Sequence, residues 1–263
     1  MVAKTLKISR ACEIEYQVPD ILARECFRNF LKKSVGFQNI ICNFVAEIQN
    51  GSLKICLGDI VSRNKISNAN LLRLLLKKLA ESVRQPVSYN RLSNVLSSVS
   101  GKITMPTVSK YIEYSEDAWL LLRLRNVSAA FANKESLCKY YFVDNGVLNL
   151  FLLDGDTSLL ENLTALTMFR KYGHDKDNER VFFYNDKVEV DFYVPEDKLA
   201  VQASYSITQA ESTFDRELDA LKKLPKVLPC DRRVILTYDE SDTITDEFGT
   251  IEVMPLWKWI LCL

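Results

Sequence analysis

Apolar residues recur at helical spacing through the first half of the chain, and strand-like alternation dominates much of the second. Residues Ile21, Leu22, Cys26, Phe27, Phe30 and Leu31 form a helical stripe that ends at Val35-Gly36. Residues 40–63 are compatible with a helix through Glu47, a turn at Asn50-Gly51 and a second helix through Leu57 and Ile60. From residue 69 the pattern sharpens. Leu72, Leu75, Leu76, Leu79 and Val83 predict one amphipathic helix; Leu92, Val95, Leu96 and Val99 predict another, with Ser88 as its N-cap and Gly101 as its stop. Pro106 sits near the first turn of a third helix that turns Val108, Tyr111, Ile112 and Ser115 inward. The runs LLLRLRNVSAAF and LCKYYFVD then read as two strands joined by a polar connection. Three helices followed by a two-stranded wing is the order of a winged helix-turn-helix.

Beyond residue 147, helices and strands alternate. A helix with Leu160, Leu163, Leu166 and Phe169 inward precedes three strands, RVFFYN, VEVDFYV and LAVQASY. The second and third of these meet at a turn over Pro195-Glu196-Asp197. Next come an amphipathic helix using Phe214, Leu218, Leu221 and Leu224, an apolar strand RRVILTYD suited to a buried parallel position, and a short strand with a Trp-rich helical tail. The order α-β-β-β-α-β is that of a restriction-endonuclease-like core. The expected fold class is therefore α+β / α/β and multidomain. A helical, lid-like segment spans 1–68, a winged helix-turn-helix 69–146, and a restriction-endonuclease-like αβββαβ domain 147–263.

Composition narrows the chemistry. Eight glycines and no Gly-rich phosphate motif exclude a P-loop, which needs glycines so that backbone N–H groups can converge on an anion. A single histidine, His174, argues against a His-based triad or metal cage and reads as a solvated loop residue. Seven scattered cysteines with no CxxC argue against a disulfide framework or zinc site. No apolar run approaches a membrane span, and no signal-peptide core opens the chain, so a cytoplasmic protein is expected. The formal net charge of +0 hides an asymmetry. Residues 1–125 carry 19 basic and 10 acidic side chains (+9), residues 147–263 carry 13 and 22 (−9), and residues 126–146 carry two of each. The front half suits a polyanion better than the back half does.

The run from KYYFVDNGVLNLFLL through EVDFYV, AVQASYSIT and RELDALKKL to IEVMPLWKWIL resembles the C-terminal region of a large prokaryotic family of AAA-type ATPases. That region carries a restriction-endonuclease-like domain of unknown function. The winged-helix pattern before it resembles the segment that follows the ATPase lid. The resemblance implies a part that works beside an ATPase module. No residue here matches the phosphate loop, so ATP binding does not carry over.

The resemblance also names a candidate nuclease pocket. Such sites hold Mg²⁺ with strand and helix acids, and a lysine positions or activates water. Asp191 matches the strand aspartate and Glu161 the helix acid, but Gln202 and Ser204 stand where a second acid and the lysine belong. Gln202 brings no charge and Ser204 no ammonium. Lys187 and Glu189 lie near in sequence, but nothing in the pattern recruits them. The expectation is therefore a degenerate pocket. Glu161 and Asp191 are structural acids, no metal or cofactor is held, and Mg²⁺ enters only if the protein is a nuclease with a relocated lysine. For the winged helix, Lys102, Thr107, Ser109 and Lys110 on or near the third helix, with Arg123 and Arg125 on the wing, are the candidate contacts to double-stranded DNA. Glu113, Glu116 and Asp117 place acid close by, so docking onto an ATPase module or another protein partner is the competing expectation. The pattern does not fix an oligomeric state.

Overall fold

A computed structural model describes residues 5–6, 16–17, 57–128, 137–152, 155–173, 180–207 and 211–261. Most of the lid-like segment, the predicted helix over 21–31, the wing connection and His174 lie outside the described residues. The chain is a mixed α and β structure. A helical stretch over 57–63 buries Ile60, as its spacing predicts.

The three predicted helices are present. They are α1 (Ala69–Glu81), α2 (Tyr89–Ser100) and α3 (Met105–Asp117). Ser88 caps α2 by accepting from Arg91 N–H, and Gly101 ends it at a φ of 81°, where a Cβ would be strained. Thr104 caps α3 beside Pro106, and Val108, Tyr111, Ile112 and Ser115 point inward as expected. One correction concerns α2. Its buried face is Leu92, Ser93 and Leu96, whereas Val95 and Val99 stay exposed. They lie on a face of the helix that no described neighbour covers. The two strands predicted after α3 are β2 (Leu121–Leu124) and β3 (Leu137–Phe142), paired antiparallel. A two-residue strand, β1 (Val87–Ser88), pairs with the other side of β3 and makes it the central strand of three.

A short helix, α4 (Asn145–Asn149), leads to the long helix α5 (Asp156–Tyr172). Then come β4 (Phe182–Asn185), β5 (Glu189–Val194), β6 (Leu199–Ala203), α6 (Glu211–Lys223), β7 (Arg232–Thr237), β8 (Asp242–Asp246), β9 (Gly249–Pro255) and α7 (Leu256–Leu261). These strands form one six-stranded sheet in the order β8-β9-β7-β6-β5-β4. β4, β5 and β6 are an antiparallel meander, while β6, β7 and β9 run parallel. The predicted apolar strand β7 takes a buried parallel position. The β8–β9 hairpin extends the sheet beyond the single short strand expected there.

One apolar cluster runs without interruption from Ile60 to Trp259 and includes α1–α3, β3, α5 and one face of the sheet. A second, built on Tyr184, Val190, Ile235 and Leu221, lies under α6. Because α5 packs between β3 and the sheet, it is buried well beyond a simple stripe, and Glu161, Asn162 and Thr164 are all enclosed. Asn162 uses its whole side chain. Its Oδ1 accepts from Phe142 N–H at 2.8 Å, and its Nδ2 donates to Phe142 O and Asn145 Oδ1, each at 2.8 Å. A second seam joins the end of β2 to the sheet edge: Phe183 N–H donates to Arg125 O, and Val127 N–H to Phe183 O, each at 2.9 Å. Asn162→Ala strands two buried backbone groups of Phe142. We expect it to lower stability by about 2–4 kcal/mol, measured by urea denaturation; an unchanged midpoint would show that the clamp contributes nothing.

Candidate functional site

Strand geometry sets the site. Lys139 and Tyr141 are two apart on β3 and so project from the same face. That face meets Glu161 on α5 and Asp191 on β5. Lys139 Nζ lies 2.7 Å from Asp191 Oδ1 and 3.3 Å from Glu161 Oε1, with no exposure to solvent. Tyr141 donates its hydroxyl to Glu161 Oε1 at 2.9 Å, and Arg84, from the loop after α1, places Nε 3.6 Å from Glu161 Oε2. Asp191 Oδ2 accepts from Ala203 N–H at 3.1 Å. The acid pair inferred from sequence is thus brought together. A lysine, Lys139, reaches that pair from β3.

Gln202 and Ser204 have other uses. Gln202 bridges the backbone of β5: its Oε1 accepts from Asp191 N–H at 2.8 Å, and its Nε2 donates to Glu189 O at 2.9 Å. Ser204 hydrogen-bonds Glu217 of α6. Glu217 is only 6% exposed, and its Oε2 has no hydrogen-bond partner within the described structure. All three carboxylates line a cleft of about 710 Å³, together with Arg84 and Gln202. Lys187, Glu189 and Arg216 stand at its solvent-exposed mouth.

Burial and charge set the protonation of the cluster. Burial opposes the charge on Lys139, but Asp191, Glu161 and Glu189 outweigh it and raise its pKa. Lys139 therefore remains an ammonium. Burial and the neighbouring Asp191 push Glu161 upward, against Lys139, Tyr141 and Arg84. Burial, then Asp191, push Glu217 up to about 7, opposed by Ser204, Arg84 and Arg216.

The resemblance implies Mg²⁺, and the residues do not fit it. Mg²⁺ needs converging oxygen ligands and room for water. Here Asp191 Oδ1 and Glu161 Oε1 both engage an ammonium, and Asp191 Oδ2 engages a backbone N–H. Among the described residues, no group of three or more His, Cys, Asp or Glu is placed to hold a metal ion.

The expected DNA-contact residues divide. Lys102 and Lys110 are exposed. Thr107 and Ser109 are half-buried, and Thr107 shares a hydroxyl contact of 2.9 Å with the cap residue Thr104. Arg123 is held internally, with Nε 2.8 Å from Glu116 Oε1 and its guanidinium over the Tyr140 ring at 5.9 Å. Arg125 is half-buried beside the seam to β4. The six do not form one exposed basic surface.

Sequence reasoning missed Lys139, Glu217, Arg84 and Tyr141, although two of them left a trace. Lys139 is a lone charge in the apolar run LCKYYF, and Glu217 falls on the Phe214–Leu218–Leu221 face of α6. A charge at an inward phase is a charge with a partner.

Comparisons with known proteins add kinship without chemistry. Residues 41–158 match a domain of unknown function, DUF8612, a span that contains Arg84, Lys139 and Tyr141 and ends just before Glu161. The chain is 32% identical over 214 residues to the uncharacterized protein MJ1544 of Methanocaldococcus jannaschii, covering 77% of this chain and 47% of that protein. It is 25% identical over 213 residues to an uncharacterized protein of Haemophilus influenzae, covering 79% and 50%. The chain thus spans about half the length of the curated relatives it matches. No solved structure matches it significantly. Among the described residues no helix is long and apolar enough to cross a membrane.

The raised carboxyl of Glu217 gives a signed prediction. Between about 4.5, its ordinary value, and about 7, the unfolded chain releases a proton that the folded chain keeps. Its contribution is complete below that window and is lost as pH rises through it. Relative to wild type, Glu217→Gln should therefore gain roughly 1–3 kcal/mol of stability between pH 5 and pH 8. Urea denaturation at the two pH values tests this; an equal difference at both would show that Glu217 holds no such proton.

Proposed function

We propose that this chain is a non-catalytic recognition or regulatory portion of an AAA-type ATPase, built from a winged-helix-like part and a degenerate restriction-endonuclease-like part. One observation carries the reading: a wholly buried ammonium, Lys139, neutralises the acid pair that would otherwise do metal chemistry. The helix–helix–helix–hairpin order of 69–142 and the αβββαβ order of 156–237 support the two architectural assignments. So do the antiparallel meander and the parallel strand beside it.

The third helix is offered to a partner more than to a duplex. Arg123 pairs with Glu116, while Val99 (69% exposed) and Met105 (49%) lie near Lys102. A face that mixes exposed apolar residues with few free cations suits protein docking, with the ATPase module as the proposed partner. DNA contact through Lys102 and Lys110 is the weaker form of the same recognition role.

A second reading, metal-dependent cleavage with a relocated lysine, draws on the same 2.7 Å contact between Lys139 and Asp191. Against it, that ammonium keeps its proton and touches no solvent, so it cannot serve as a base or steer a water. Plasmid incubated with the protein and Mg²⁺ or Mn²⁺ should stay intact; cleavage that disappears in Asp191→Ala would establish the second reading instead. Binding to labelled duplex at two salt concentrations should be weak at low salt and fall further as salt rises. Tight binding that Lys110→Ala abolishes would instead place DNA on the third helix.

A further inference from the structure

We infer that the cleft of about 710 Å³ binds a small molecule that presents an amide edge, C(=O)–N–H: its carbonyl accepts from Arg84 Nε, and its N–H donates to Glu217 Oε2. The inference goes beyond the docking role proposed above and does not depend on it.

Unmet hydrogen bonds are the first argument. Glu217 is 6% exposed, and its Oε2 is buried without a hydrogen-bond partner within the described structure. Arg84 Nε is buried and lacks one as well. Glu161 Oε2 lies 3.6 Å from it, too far for a hydrogen bond. Buried polar atoms in folded proteins are almost always paired, so two unpaired ones in residues that line one cleft point to a group that enters it. Their characters are opposite: the guanidinium only donates, and a carboxylate oxygen only accepts. They are also neighbours, since Arg84 acts on the charge of Glu217. An amide is the compact group that offers an acceptor and a donor side by side.

Elimination is the second argument. Asp191 Oδ1 takes Lys139 and Oδ2 takes Ala203 N–H, Glu161 Oε1 takes Lys139 and Tyr141, and Gln202 spends both ends of its amide on β5. Arg84 and Glu217 are left to read a ligand. Shape and charge are the third. Val188, Leu218 and Ala220 add apolar wall, and the volume lies in the range of small-molecule sites. At the mouth the charges offset one another. Lys223 pairs with Asp219 at 3.2 Å, Lys222 acts on Asp246, and Lys187 and Arg216 stand against Glu189 and Asp215. A neutral ligand suits such a mouth better than a strongly charged one.

The test is a titration with nicotinamide and with uridine, followed by saturation-transfer NMR of the ligand. It is run at pH 8, above the value of about 7 to which the Glu217 carboxyl is raised, so that this group accepts. N,N-dimethylnicotinamide and 3-methyluridine carry methyl in place of the donor hydrogen. At least one of the two amides should bind saturably in the range of about 10 mM or tighter, and its methylated counterpart at least about tenfold more weakly. Glu217→Met removes an unpaired buried acceptor, so it should fold at least as well as wild type, yet lose at least about tenfold in affinity. Arg84→Met should lose as much, whereas Glu217→Gln, which keeps a carbonyl acceptor, should still bind. Binding of uridine alone would assign the edge to a nucleobase lactam, and binding of nicotinamide alone to a carboxamide; either supports the inference. No saturable binding of either amide, equal binding of the methylated analogue, or an unchanged affinity in Glu217→Met would overturn it.

Discussion

An ammonium buried among carboxylates is costly unless its geometry is good, because each ion gives up its water. Lys139 meets that condition with two carboxylate oxygens at 2.7 and 3.3 Å and the Phe183 ring 5.9 Å away. Three elements distant in sequence must be in place before the charge is compensated: β3, α5 and β5. The ion cluster therefore fixes how β3, the long helix and the sheet assemble, and misplacing any one leaves a bare buried charge. Removing one partner from such a cluster typically costs about 3–5 kcal/mol, far more than an exposed ion pair contributes.

Everything near the cluster is arranged to keep it there. Tyr141, two residues along β3, donates to the same oxygen of Glu161 that Lys139 approaches. Asn162, the next residue on α5, clamps the backbone at Phe142. Polar contacts one step apart on α5 and a few residues apart on β3 thus lock the register between them, and the continuous apolar cluster around them excludes water. Of the three charges, Lys139 alone has no exposure to solvent, while Glu161 and Asp191 also line the cleft.

The fold was largely legible from the sequence, and the site only in part. Helix spacing located α1, α3 and α6, Ser88 and Gly101 bounded α2, and period-two alternation located β5 and β6. Failures came where burial depends on a neighbour. Val95 and Val99 have the right spacing but no described element over them, and α5 is enclosed beyond its stripe because two layers flank it. For the site, Glu161 and Asp191 were readable because each is an acid in an otherwise apolar helix or strand pattern. Lys139 was not, because it reaches them across 22 and 52 positions of chain. No local spacing rule spans that distance. Only the oddity of one charge within LCKYYF pointed to it.

The opposed charges of the two halves acquire a different meaning from the same contacts. Read as surface, an excess of +9 at the front invites a polyanion. Two of the cations behind that impression face inward. Arg84 faces Glu161, and Arg123 is bound to Glu116 and laid over Tyr140. Lys139, from the linking segment, lies between two acids of the back half. In the acidic half, Glu161, Asp191 and Glu217 are likewise interior. Part of the asymmetry is thus complementarity within the chain: Arg84 of the front half and Lys139 of the linking segment answer back-half carboxylates, while Arg123 and Glu116 pair within the front half. Charge counted along a sequence cannot separate an internal pair from an external invitation; the burial of each side chain does.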